Sequence, residues 1–217
     1  MSIETYEHKG FKIQVTHDED AQCPREESNV ATLACFHKRY GLGDKDHGYD
    51  FKDYGSWDEM EAAIRKQENV AVIQPLYLMD HSGLSIRTTP FGCPWDSGQI
   101  GFAWITREQA KTVFLRKNMS KKLLADLNKI IVNEVKTYDD YLTGDVYVVS
   151  IENPDGDVVE ACGGYFGYDS VKEDGYAIKE AKETADILAN EWEEAKRVAE
   201  LPENRKDQLT LGLPGVS

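Results

Sequence analysis

Residues 75–105 read PLYLMDHSGLSIRTTPFGCPWDSGQIGFAWI, a stretch that opens and closes on apolar residues and holds its polar chemistry in the middle. Its first strand continues an apolar run from residues 70–73 and is interrupted at Pro75. Proline donates nothing to a ladder, so this predicts a strand at a sheet edge or one broken by a bulge. Leu84, Ile86 and Thr88 alternate beyond Asp80-His81-Ser82-Gly83, which places those four residues at a hairpin tip. After the loop TTPFGCPWDSG, Ile100, Phe102 and Trp104 alternate again. They lead into Thr106, whose T-x-x-Q spacing with Gln109 predicts a capped helix.

Upstream, residues 11–15 alternate as a short strand, and residues 30–37 (VATLACFH) form an element of either type. The polar loop HDEDAQCPREESN separates them. A second loop, YGLGDKDHGYDFKDYGS, ends at Ser56, which with Glu59 makes an S-x-x-E capping box. The helix it opens presents Trp57, Met60 and Ile64 and closes near Gln67.

Downstream, a helix beginning after Asn118 or Ser120 sets Leu123, Leu124, Leu127, Ile130, Ile131, Val135 and Tyr138 on one stripe, fit to lie on a sheet. DVYVVSI and DVVEACGG then flank Asn153-Pro154-Asp155-Gly156 as a second hairpin. Gly163-Gly164-Tyr165-Phe166-Gly167-Tyr168 reads as an aromatic connection whose tyrosines either line a pocket or pack on the sheet. In the last helix, residues 176–201, Ile178, Ala181, Ala185, Leu188, Trp192, Ala195 and Ala199 recur in steps of three and four. That seam is about 39 Å long at 1.5 Å per residue, and it is short for an independent coiled coil, so packing within the chain is expected ahead of the alternative, a dimer helix. Pro202 ends the helix and leaves a weakly ordered tail over residues 202–217.

The class expected from these pieces is α+β: an antiparallel sheet of hairpins with helices packed on it and a long C-terminal helix. No linker composition marks a boundary, so residues 1–201 are expected as a single domain.

Among 217 residues, 41% are hydrophobic, enough to bury a sizeable core. Cys23, Cys35, Cys93 and Cys162 are irregularly spaced and are expected as reduced thiols, since a chain this long needs no disulfide staples. The start MSIETYEHKGFKIQ lacks a signal-peptide core, and no run of about 18 apolar residues offers a membrane span. A soluble, cytoplasmic protein is the expectation.

The net charge of −14 argues against neutralising nucleic-acid phosphates directly. Residues 1–60 carry 13 acids and 7 bases, residues 61–140 carry 9 and 11, and residues 141–217 carry 17 and 7. The basic exception is Arg107, Lys111, Arg116, Lys117, Lys121, Lys122, Lys129 and Lys136, which form either a face for an acidic partner or ordinary solvated helix surface.

The common phosphate-loop, dinucleotide, zinc-protease and serine-hydrolase motifs are absent. Asp44, Asp46 and Asp50 resemble the start of a calcium loop, but Tyr49 stands where the loop needs glycine and Gly55 where it needs glutamate. Cys35 with His37, or Cys93 with His81, have soft-ligand chemistry without the paired spacing of a zinc site, so no metal and no cofactor are expected.

One cast for thiol catalysis exists: Cys93 as nucleophile, His81 as base, and Asp80 or Asp96 as the orienting carboxylate of a hydrolase. Read structurally, the same residues fill a turn and pack a loop, with Asp96 and Ser97 bonding backbone. Trp95, Asp96, Ser97, Tyr165 and Tyr168 are the candidate contacts of a binding site, for a partner or a small ligand.

The segments CPREESNVATLACFHKRYGLGD (23–44), residues 75–105 with their CPWDSG core, and EVKTYDDYLTGDVYVVSIE (134–152) resemble a family of uncharacterised proteins encoded by bacteriophages and other mobile elements. The resemblance implies an accessory protein in the cytoplasm of an infected bacterium. It brings no catalytic residues. The expected function is non-catalytic binding and inhibition of a host protein, such as a nucleic-acid-handling defence effector, with acidic surfaces standing in for phosphate.

Overall fold

A computed structural model describes residues 2–115 and 118–201. The expected tail at residues 202–217 lies outside the described residues, as do Arg116 and Lys117. The chain divides into two compact units, a terminal one with residues up to Asp18 and from Tyr147 onward, and a central one over Glu19–Val146. The fold is α+β, with an antiparallel four-stranded sheet in each unit and a long C-terminal helix.

In the terminal unit the sheet runs β1 (Glu4–His8), β2 (Phe11–His17), β7 (Val146–Glu152), β8 (Val158–Phe166). Strand β1 carries little apolar alternation of its own and forms by pairing with β2 across Lys9 and Gly10, both at positive φ as a tight hairpin requires. Phe11, Ile13 and Val15 on β2 and Tyr147, Val149 and Ile151 on β7 are buried on one face, where α4 (Tyr176–Ala199) packs. The helix seam follows the expected residues only part of the way: Ile178, Ala181 and Ala185 are buried, Leu188 and Trp192 half-buried, and Ala195 and Ala199 exposed, while Ala189, not on the expected seam, is buried. The β7–β8 turn matches its chemistry, with the Asn153 side chain accepting from Asp155 N at 3.0 Å and Asp157 N at 2.9 Å. The glycine-aromatic run is no free connection, because β8 extends through Phe166 and only Tyr168–Ser170 forms a short 3-10 turn.

In the central unit the sheet order is β3 (Thr32–Cys35), β6 (Ser97–Thr106), β4 (Val70–Asp80), β5 (Leu84–Arg87). Residues 30–37 thus resolve as a strand. Pro75 sits in the half of β4 that β5 does not cover, since β5 pairs only with Tyr77–Asp80 and leaves the other side of Pro75 without a partner strand. A bulge at Leu76/Tyr77 accompanies it. That bulge alters the expected face of β6. Phe102 and Trp104 pack with Met60 and Ile64 of α1 (Trp57–Gln67), whereas Ile100 falls with Ala103 and Ile105 on the opposite side, because one extra residue inverts the alternation. The opposite side is covered by α2 (Arg107–Phe114) and α3 (Lys121–Thr143), through Ala110 and the stripe Leu123, Leu127, Ile131, Val135 and Tyr138. Layers on both faces explain why Ile100–Ile105 is buried without a break.

The starts of α1, α2 and α3 have side-chain caps, whereas α4 begins at Gly175 without one. Thr106 and Gln109 form the reciprocal box. Ser120, not Asn118, caps α3 by accepting from Leu123 N at 3.2 Å. At α1 only half of the expected box forms: Ser56 Oγ accepts from Glu59 N, while the Glu59 carboxylate takes Gly55 N at 2.8 Å. Among the described residues, no helix is long and apolar enough to cross a membrane.

Candidate functional site

The hairpin tip of β4–β5 and the connection from β5 to β6 meet at one end of the central sheet. The tip turns through Ser82 and Gly83, both at positive φ, with His81 N donating to Gly83 O at 3.1 Å. Arg87 clasps the start of the connection: its Nε donates to Thr89 O at 2.9 Å, its guanidinium also reaches Pro90 O, and its plane lies 3.7 Å over the Phe91 ring. The far end is tied by Asp80 N donating to Asp96 O at 2.8 Å and by Ser97 Oγ donating to Cys93 O. Between the two ties stands Trp95, 91% exposed. A large aromatic ring thus stands in solvent on a loop pinned at both ends.

The candidate catalytic residues are brought together, but in a different order from the one a thiol enzyme uses. Asp96 Oδ2 lies 3.2 Å from His81 Nδ1 and 3.7 Å from Cys93 Sγ, so the carboxylate is the middle member. Thiol activation needs the imidazole on the sulfur and the carboxylate behind the imidazole. Here the thiol's weak hydrogen bond goes to the Asp96 carboxylate and not to the imidazole. The groups also lie open to water, His81 at 69% and Asp96 at 41% exposure, where no preorganised dipole gains from desolvation. Asp80 takes another partner, Arg39, from the loop after β3. Arg39 in turn lies over Tyr40, which stacks on His37 at 4.9 Å.

The remaining candidates fall elsewhere. Ser97 is spent on the backbone bond to Cys93. Tyr165 and Tyr168 belong to the terminal unit, where Tyr168 OH bonds Glu4 and Tyr165 is half-buried, edge-on to Tyr176 at 5.8 Å. The binding set read from sequence is therefore two separate groups, Trp95-Asp96-Ser97 in one unit and the tyrosines in the other.

Asp44 does not belong to a cation loop. Its carboxylate accepts from Arg25 Nε at 2.9 Å and Nη2 at 2.8 Å and from Leu33 N at 2.9 Å. Glu134 of α3 completes the arrangement, 3.1 Å from Arg25 Nη1 and 2.8 Å from Val30 N. Burial alone would lower the Arg25 guanidinium, yet the carboxylates of Asp44 and Glu134 raise it above its ordinary value. This is a brace that ties two loops to a helix. Cys35 beside it is pushed up to about 12 by burial and by the Asp44 charge, so it is a structural thiol. Among the described residues, no three His, Cys, Asp or Glu side chains gather as a metal-binding set.

Sequence reading missed Arg39, Arg87 and Phe91, which support the Trp95 loop. Arg87 and Phe91 were within the quoted stretch, and their i, i+4 relation across a Pro-containing loop was the available signal. Arg39 had none, being 41 residues from Asp80. The basic residues of α2 and α3 are exposed, though Lys129 and Lys136 have local partners in Asp126 and Asp140. Compared with family models, curated proteins and solved structures, the chain matches none.

Proposed function

We propose that this chain is a non-catalytic binding protein, an accessory protein of phage origin that occupies and inhibits a nucleic-acid-handling defence protein of its bacterial host. The observation that carries the binding part is Trp95, 91% exposed on a loop pinned at both ends. Trp and Arg dominate the energetics of protein interfaces, and Arg39 and Arg87 stand in the same cluster of loops. A loop already fixed by its own hydrogen bonds loses little entropy when a partner docks.

The net charge of −14 supports a basic partner, because complementary fields speed encounter and select against acidic surfaces. The phage setting rests on the sequence resemblance of CPWDSG and its flanks. Against catalysis stands the order Cys93–Asp96–His81.

The test is capture of a partner from bacterial lysate at low salt, followed by affinity measurement with Trp95→Ala, Cys93→Ala and His81→Ala. The expected result is a loss of about thirtyfold for Trp95→Ala, the scale of an interface hot spot, with little change for the other two and a steep fall with salt. Affinity indifferent to Trp95→Ala, or activity lost with Cys93→Ala at unchanged fold, would overturn the proposal.

A further inference from the structure

Among the described residues of the terminal unit, one α-helix, α4, packs on the four-stranded sheet. Four strands at about 4.8 Å spacing present a face wider than one helix of about 10 Å can cover. Helix α4 packs on β1 and β2 and shares a core with β7. Strand β8 is left over, exposed from Val158 to Gly164.

Beside α4 this leaves a groove of ≈ 480 Å³. Its floor is Val149, Ile151 and Ala181, and Cys162 and Tyr165 of β8 form one wall. The other wall is a second stripe of α4, Glu180, Glu183, Thr184 and Ile187, at the i, i+3, i+4, i+7 spacing of a helix face distinct from the buried seam. Ile187 is 61% exposed, and Val158 on the edge strand is 59% exposed. The charged residues lining the groove are Glu160, Glu180 and Glu183, with no lysine or arginine among them.

We propose that this groove receives a cationic amphipathic helix of a partner protein. An apolar floor selects a helix with a hydrophobic stripe, and a small residue at Ala181 allows the close axial approach of packed helices. Three carboxylates on the rim select lysine or arginine on the flanks of that stripe and disfavour an acidic helix. The docked helix lies beside α4, along the exposed strand β8. The proposal stands apart from the Trp95 loop, which belongs to the other unit, and holds or fails without it.

The probe is a fluorescent amphipathic Leu/Lys peptide of about 18 residues, titrated into the full chain by anisotropy, with an acidic Leu/Glu peptide and a scrambled Leu/Lys peptide as comparisons. Cys162 gives the site-specific readout, since it lines the groove and is exposed. Its alkylation by iodoacetamide, followed on the peptide fragment that carries it, is expected to slow on saturation with the Leu/Lys helix. The double variant Glu180→Lys, Glu183→Lys replaces two attractions by two repulsions and is expected to weaken binding at least about tenfold. Ile187→Asp adds negative charge while removing apolar surface, and is expected to weaken binding too, which pure charge attraction would not do. Equal binding of the scrambled peptide, unchanged alkylation of Cys162, or indifference to the double variant would overturn the proposal. So would tighter binding by a chain ending at Leu201, which would assign the groove to residues 202–217, or a dimer abolished by Ile187→Asp, which would assign it to a second copy.

Discussion

A Cβ built on Gly101 would stand 1.8 Å from the carbonyl oxygen of Ala34, and 3.1 Å from Cys35 Cα. Strands β3 and β6 therefore approach each other here more closely than any side chain permits, beside the bulge that turns Ile100 to the α3 face. The contact is backbone, so it cannot swing aside. Gly101→Ala is expected to destabilise the chain by about 3 kcal/mol or more, through forced separation of β3 from β6. Urea unfolding monitored by far-UV circular dichroism checks it, and a midpoint within error of the parent would show that the strands separate freely.

Arg25 is 4% exposed and holds Asp44 and Glu134 together. Removing it leaves two carboxylates and the Ala31 carbonyl without their shared donor. Arg25→Ala is expected to cost about 3–5 kcal/mol, the range for breaking a buried ion pair from one side. The variant Arg25→Met, Asp44→Leu, Glu134→Leu removes both signs of charge and is expected to recover part of that loss. Equal stability of Arg25→Ala and the parent in chemical denaturation would refute the brace.

The cysteines should react in order of their surroundings. Cys162 is exposed, whereas burial and the Asp44 charge push Cys35 up from 9.0 to about 12. Tyr138, whose hydroxyl accepts from Gly43 N at 3.0 Å, is likewise pushed up by burial to about 12. Both groups have folded values above their unfolded ones. The stability they contribute is complete below the unfolded values and is lost as pH rises toward about 12. Unfolding midpoints should therefore fall between about pH 9 and pH 12, with a shallower fall in Cys35→Ala. Rapid alkylation of Cys35 in the native protein at pH 8 would contradict this.

Two helix starts differ by one hydrogen bond. Thr106 and Gln109 satisfy each other's backbone donors, while Ser56 receives only the forward bond of its box. Thr106→Ala is expected to cost about 1 kcal/mol or slightly more, and Ser56→Ala less, because the Glu59 carboxylate keeps its bond to Gly55 N. Thermal melts of the two variants decide the ranking.

What was legible in the chain was local. The Thr106–Gln109 cap, the Leu123-to-Tyr138 stripe, the Asn153-Gly156 turn and the Asp80–Gly83 hairpin all depend on residues within one turn or one period of each other, so spacing alone carries them. The Trp95 loop was visible for the same reason, as a cluster of reactive residues between two strands. Its internal order was not: spacing puts Cys93 and Asp96 near His81 but cannot say that the carboxylate comes between thiol and imidazole.

By itself the sequence determined the α+β class, the caps at Ser56 and Thr106 and the placing of the candidate loop between two strands, since backbone propensity and amphipathic period act over a few residues. Only the tertiary structure decided that the hairpins form two sheets and that a bulge sends Ile100 to the other face of β6. It also decided that Arg25 is shared by Asp44 and Glu134, and that β8 lies bare beside α4. Each of these follows from contacts between residues far apart in the chain. Burial on a given face, unlike period, is a property of the partner that covers it.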